Sequence, residues 1–473
     1  MGKDLRQFLQ MAREAGPDYY VEASKPLSPK YEVCVLQQKL AAEGRFPVLY
    51  CPQIEGSKLP LVSGLFGSYE LLGLAMDIPP KKLREMGRSV ILEEYMKRRH
   101  NLKPTKEVSA KEAPVQEVVL RGKDIDLGLL PIIHHYELNP TKYSTISMTL
   151  SRDPDTGVHN MGVYRQEVKG KNRIACMMTP LPKHGTYIAN RYAELGKPME
   201  VVAVIGHHPA LGIASTGPHP LEEDELEVAG ALLGEPLEVV RGVSVDLPVP
   251  AFAEIAIEGT IDPTYRETDG PFSETYGYYG SSKPCYVIEI TAITMRKDAI
   301  YNNLDPRQAE HNLVSMLGRE ANLYNKVKSV LPTVKAVHFG PAGWAGQNFM
   351  YIAIDKRNPG DARLAGLAAI LADRNRKAAV VVDEDIDIYN DQEVLWAIGN
   401  RVRGELDIIT IPGLPVTPLH PTARAAAVDS TGFGQWVVDT KIIIDATEPE
   451  GFATRVNPPK DLWQSMKLED YLK

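Results

Sequence analysis

The segment TDGPFSETYGYYG, residues 268–280, sets two carboxylates, Asp269 and Glu274, five residues apart around a Gly-Pro-Phe. Gly-Pro breaks helices and rarely sits inside a strand, so the segment reads as a loop of fixed shape. Two acids that converge on one pocket push each other's pKa values apart. The neutral one can then donate a proton while its neighbour stays an anion. An arginine beside one acid would hold that acid in its charged form, and Arg165 in MGVYRQ is one candidate among many. The commoner reading of an acidic turn is a pair of solvated carboxylates, and the residues alone favour it.

A second constellation is dispersed. Asn160 lies in HNMGVYRQ, His184 in PLPKHGTY and Glu225 in an acidic helix start. Amide oxygen, imidazole nitrogen and carboxylate oxygen together suit a hard or borderline divalent ion such as Mn²⁺ or Mg²⁺. Capping and dipole compensation explain an acidic helix start equally well. The pairs His134-His135 and His207-His208 cannot both face one site from a strand, because adjacent side chains alternate, so they read as structural histidines. The run DEDIDIYND (383–391) lacks the glycine and final glutamate of a calcium loop and reads as a strand end followed by a helix start. GxGxxG, Walker and GxSxG motifs are absent.

The elements that must position these residues follow from periodicity. Residues 4–15 read as a helix with Leu5, Phe8, Leu9 and Met11 near one face, 47–52 as a buried strand, and 81–99 as a further helix. The polar, proline-punctuated stretch 101–117 marks a boundary. Short apolar runs between turn signals fill 117–315 and suggest a barrel or sandwich, interrupted by one helix at 222–234. From about 320, strand-like and helical stretches alternate as in an α/β domain, ending on a strand at 440–447. The expected domains are 1–116, 117–318 and 319–473.

Composition bounds the partners. The 473 residues carry a net charge of −8 and no basic tract, which disfavours nucleic acid and anionic membranes. The amphipathic start is not a signal peptide, and no run approaches a membrane span. Four scattered cysteines, Cys34, Cys51, Cys176 and Cys285, read as reduced thiols of a cytoplasmic protein.

Taken in order, LRQFLQMAREAG, SGLFGSYELLGLAMDI, HNMGVYRQ, AGALLGEPLEVV, EIAIEGTID, DGPFSE, YGYYG, ITMRKDAIY, VVVDEDIDIYNDQEVLWAIGNRVR and TKIIIDATEP resemble the UbiD family of reversible decarboxylases, which use prenylated FMN. The resemblance implies an N-terminal α/β region, a central split β-barrel of flavin-reductase type and a C-terminal α/β domain involved in oligomerisation. It implies a cofactor stretch of Asn160, Met161, Gly162, Val163, Tyr164 and Arg165 with Lys183, His184 and Glu225. It further implies Mn²⁺ on Asn160, His184 and Glu225, bridging to the cofactor phosphate, and K⁺ held near Ala214 and Ser215. A phosphate-contacting lysine is expected from the C-terminal domain, Lys377 first and Lys441 second.

The same resemblance makes Arg165, Asp269 and Glu274 the catalytic set, with Asp269 one carbon shorter than the glutamate of many members. Loss of CO2 from an unsaturated or aromatic acid leaves charge on an sp² carbon, which no side chain can absorb, so a cofactor must. Arg165 would pair with the substrate carboxylate, Asp269 would hold Arg165, and Glu274 would deliver the proton. In 301–320, Arg307, His311 and Arg319 are candidates for a second polar group of a small aromatic or heteroaromatic acid, or are surface charges. The expected partners are such an acid and CO2, a flavin prenyltransferase as cofactor supplier, and copies of the chain in a dimer or hexamer. A non-catalytic or carboxylating subunit, a flavin reductase and a metal-dependent hydrolase remain as other classes.

Overall fold

The computed structural model describes residues 3–178, 184–340, 348–428, 435–456 and 458–471. The first helix, Leu5–Ala15, starts on Asp4, whose side chain accepts from the Gln7 amide, and ends on Gly16. It buries Leu5, Phe8 and Leu9 as its periodicity foretells, with Ala12 as the fourth buried residue and the expected Met11 only half-buried. The stretch 81–99 is two helices, Pro80–Met86 and Ser89–Arg99, because Gly87 at φ 83° turns the chain out of the first. Tyr20–Glu22, Val48–Cys51 and Leu61–Ser63 form a small sheet, and Tyr301–Asn302 joins it in parallel with Leu61–Ser63. The N-terminal region is thereby tied to the end of the central one.

The centre is a ten-stranded sheet. Its spine is Lys283–Met295, a thirteen-residue strand that pairs antiparallel with Arg173–Cys176, Ile255–Ile261, Val118–Arg121 and Glu267–Asp269. Met199–Ile205, Met148–Arg152 and His159–Val163 extend the sheet on the far side of Ile255–Ile261. Val201, Ala203 and Ile205 face one core, shared with Ile257 and Ile288, while Val202 and Val204 face the other. A strand with both faces buried needs no polar alternation, which is why these runs are almost wholly apolar.

The C-terminal domain is a mixed sheet in the order Val334–Gly340, Phe349–Ile354, Ala378–Asp383, Gln435–Asp445 and Ile408–Pro415, with helices Asp361–Ala372 and Asp391–Arg401 between strands. The acidic run closes Ala378–Asp383 and opens the helix capped by Asn390, and Asp383 and Asp385 bind the fully buried Arg401. The expected order of N-terminal α/β region, central β domain and C-terminal α/β domain is the one observed. All four cysteines are free and buried. Among the described residues no helix is long and apolar enough to cross a membrane.

Candidate active site

The 268–280 segment is a broken hairpin rather than a free loop. Glu267–Asp269 pairs with the start of the central spine, a cis Gly270–Pro271 follows, and Phe272–Ser273 pairs with Tyr279–Gly280. Its stem is fastened on two sides. The Gly270 amide donates to Glu167 and to the Tyr143 hydroxyl, Lys169 Nζ to the Thr268 carbonyl, and Ser273 Oγ to Asn139 Oδ1.

The solvated reading of the two acids does not hold. Asp269 is 0% exposed and Glu274 6%, and both are bound to Arg165, which is half-buried. Arg165 Nε donates to Asp269 Oδ2 at 2.9 Å, Nη2 donates to the same oxygen, and Nη1 donates to Glu274 Oε1. The guanidinium carbon lies 4.8 Å from the centre of the Phe272 ring, so the arginine is stacked on one face as well as paired. Burial pushes the Asp269 carboxyl above the usual aspartate range, opposed by Arg165. Asp269 Oδ1 is buried and has no hydrogen-bond partner among the described residues. The shorter acid thus reaches Arg165, but through one oxygen only.

The second constellation also converges. Asn160 Nδ2 lies 2.9 Å from Glu225 Oε1 and 3.5 Å from His184 Nδ1, and His184 Nδ1 lies 3.6 Å from Glu225 Oε1. The helix Glu225–Leu233 is capped by Asp224, which accepts from the Leu226 amide, and it ends on Gly234 at φ 81°. Capping accounts for Asp224 alone. Glu225 is turned inward instead, where it also accepts from the Met161 amide. Asn160 Oδ1 is buried and unpartnered. A half-turn of that amide points its oxygen where Nδ2 now lies, giving an oxygen, a nitrogen and a carboxylate around one point. The donor set therefore fits a divalent cation.

The rest of the cofactor stretch lies on the strand His159–Val163 and the two residues after it. Gly162 and Gly185 leave room for the Tyr164 ring: an added Cβ would fall 2.7 Å and 2.5 Å from its hydroxyl. Tyr164 is thus turned into the core, and Met161 is buried, while Gly162 and Val163 are half-exposed. Ala214 O accepts from His219 Nε2, and Ser215 Oγ donates to Leu211 O. Lys183 lies outside the described residues. Lys377 pairs with Asp439 at 3.1 Å and donates to Thr422 Oγ1. Lys441 is buried, donates to the Arg374 and Arg376 carbonyls, and has its pKa pushed down by burial to about 8.

Of the three candidates in 301–320, His311 is committed to the Pro306 carbonyl and its pKa is pushed down by burial to about 4. Arg319 pairs with Asp373, whereas Arg307 is exposed. The hairpin tip reaches this segment and the C-terminal domain: Thr275 Oγ1 donates to Asn312 Oδ1, and the Tyr276 ring lies 5.7 Å from that of His420. Three of the four paired histidines have structural partners, and His207 is buried with Nδ1 unpartnered among the described residues. His134 binds the Asn139 carbonyl, His135 binds Asn303, and His208 accepts from the Ala210 amide. Sequence reasoning missed Lys283, which stands beside the acid pair; a lone lysine after a Ser-Ser turn carries no signal.

A half-buried arginine between two acids, five residues after the asparagine of a trio gathered from one strand and two helices, is the site of a carboxy-lyase, and the chain belongs to the UbiD family. Its three domain models, those of 3-octaprenyl-4-hydroxybenzoate carboxy-lyase, match here as N-terminal (16–90), Rift-related (106–307) and C-terminal (312–446) domains. The chain is 33% identical over 396 residues to anhydromevalonate phosphate decarboxylase of Methanothermobacter thermautotrophicus, covering 84% of this chain and 87% of that one. The UbiD-class enzyme HmfF from Pelotomaculum thermopropionicum, solved with FMN, superposes with a TM-score of 0.88 at 34% identity, covering 99% of this chain and 100% of that one. An evolved dimeric form of HmfF, solved with prenylated FMN, gives 0.85 at 33% identity, covering 100% of both chains.

Proposed function

We propose that this chain decarboxylates, reversibly, an aromatic, heteroaromatic or α,β-unsaturated acid with prenylated FMN bound along the stretch Asn160 to Arg165. The observation that carries this reading is Arg165, held through two bonds by the buried Asp269 and bound on its other edge by the buried Glu274. A non-catalytic subunit has no use for that triad. Prenylated FMN, when bound, supplies the electron sink that the departing CO2 requires.

The residues do the rest. The substrate carboxylate displaces Glu274 from Arg165 Nη1, while Asp269 keeps the guanidinium charged and aimed. Three carboxylates around one arginine cannot all remain ionised, so Glu274, released from its partner, takes up a proton. It then delivers that proton to the carbon that loses CO2, and in the carboxylating direction it removes one. In this reading Asn160, His184 and Glu225 would hold Mn²⁺, which would neutralise charge on the cofactor phosphate, and K⁺ would be held near Ala214 and Ser215. Lys183 and Lys377 serve the phosphate, with Lys441 second to Lys377.

The domain limits 1–116, 117–318 and 319–473 belong to the same proposal, as does cofactor supply by a flavin prenyltransferase. A dimer or hexamer is supported by the exposed stripe Leu364, Leu367 and Leu371 on the helix Asp361–Ala372. A phosphorylated acid of the anhydromevalonate phosphate kind belongs on the substrate panel beside furan-, pyrrole- and hydroxybenzoate-type acids.

The test is expression with and without a flavin prenyltransferase, followed by absorbance and mass spectrometry of the bound cofactor and ¹³C-bicarbonate exchange into that panel. Exchange only in the co-expressed protein is expected. Exchange supported equally by unmodified FMN, or a colourless active protein, would refute the proposal.

A further inference from the structure

Beside the acid pair stands a cation that the mechanism above does not use. Lys283 opens the central spine strand and lies directly opposite Asp269 in the antiparallel register. Opposed residues on antiparallel strands send their side chains to the same face, with Cβ atoms about 4.5–5.5 Å apart. Lys283 is therefore on the face that carries Asp269 and Arg165. It is half-buried, yet its ammonium has no hydrogen-bond or ion-pair partner among the described residues. Asp269 does not take it, although Asp269 Oδ1 is itself unpartnered. Its pKa is pushed down, first by burial and then by the Arg165 charge, and Glu274 pulls it back up. Lys283 thus feels the two groups whose contact the substrate must open.

The charges decide what such a lysine is for. In the free site Arg165 and Lys283 balance Asp269 and Glu274. The substrate adds one negative charge, and the proton taken up by Glu274 removes one, so the loaded site is again neutral, but only if Lys283 is counted. Without it, Asp269 and the substrate carboxylate share a single cation in a buried place. Burial already raises the Asp269 pKa, so the excess charge would be relieved there, by protonating the acid that anchors Arg165.

We propose that Lys283 is a substrate-binding residue, the second cation of a two-cation seat in which Arg165 and Lys283 together take the carboxylate that is to be lost. This rests on the decarboxylase reading above for its proton count, but not for its test. Arg307, without a side-chain partner among the described residues, is exposed, and its Nη2 lies 3.8 Å from where a Cβ on Gly277 would be. It serves as the control for a diffuse surface field.

The experiment is isothermal titration of the protein as purified, with the cofactor it retains, with butyrate and with butyramide, which differ in charge and hardly in size. Wild type should bind butyrate at least about tenfold more tightly, as one additional partly buried ion pair provides. Lys283→Met should erase about tenfold of butyrate affinity and leave butyramide unchanged. Lys283→Arg should restore most of the loss, and Arg307→Met should change neither ligand. Equal affinity of wild type for both probes would overturn the proposal. So would unchanged butyrate binding in Lys283→Met, or equal losses in Lys283→Met and Arg307→Met. Absence of ¹³C exchange in wild type with these binding ratios intact would instead overturn the reaction and leave the seat standing.

Discussion

Glu274→Gln separates the proton from the fold. The amide keeps the length of the side chain and an oxygen to accept from Arg165 Nη1, and Asp269 still takes two bonds from the guanidinium. Replacing a charge-assisted hydrogen bond by a neutral one costs about 1 kcal/mol, too little to unfold the hairpin stem. What disappears is the proton source. A positioned general acid contributes about 10²–10⁴-fold, or about 2.7–5.5 kcal/mol of barrier. Steady-state CO2 release by the loaded variant should fall by that factor while flavin absorbance and metal content match wild type. A rapid-quench trace should show at most one CO2 per site before turnover stops. Turnover within about fivefold of wild type would remove Glu274 from the role. A fall in cofactor content to match the fall in rate would mean that it holds the site together instead.

Two further outcomes follow from other parts of the molecule. Asn160→Ala removes the one neutral oxygen of the trio, and divalent-ion affinity and flavin retention should both drop by at least about tenfold, read by metal analysis and absorbance after dialysis; unchanged metal content would refute the trio. Burial depresses the pKa values of His135, His207 and His311 to about 4 and of His208 to about 3. Groups lowered in the folded state contribute stability that is complete above their unfolded value near 6.5 and is lost as pH falls toward 4–3, so the urea midpoint should decline steadily below about pH 6.5, at about 1.4 kcal/mol per pH unit for each histidine. A midpoint flat from pH 7 to 4.5 would contradict the burial of these rings.

Periodicity made the first helix, the strand at 47–52 and the alternating C-terminal domain legible, because each buries one face or both in the usual way. The break at Gly87 was not legible, since a positive φ is permitted by glycine but not announced by it. The acids were misjudged for a related reason. Sequence separates Arg165 from Asp269 and Glu274 by more than a hundred residues, and only the pairing of Glu267–Asp269 with the spine brings them under Arg165. Asn160 and Glu225 were assigned by resemblance, and spacing by itself could not distinguish Glu225 from the true cap, Asp224. Lys283 had no signal at all, because its meaning lies in a register that no local pattern encodes.

The hairpin divides its residues by depth. Asp269, Phe272, Ser273 and Glu274 are buried in the stem, whereas Gly277, Tyr278 and Tyr279 at the tip are exposed. The stem is braced by the thirteen-residue strand, the tip mainly by a turn and by contacts to the 301–320 segment and His420. In the proposed function the reacting groups therefore sit in the braced stem, and substitutions at the exposed tip leave the contacts of Arg165 with Asp269 and Glu274 untouched.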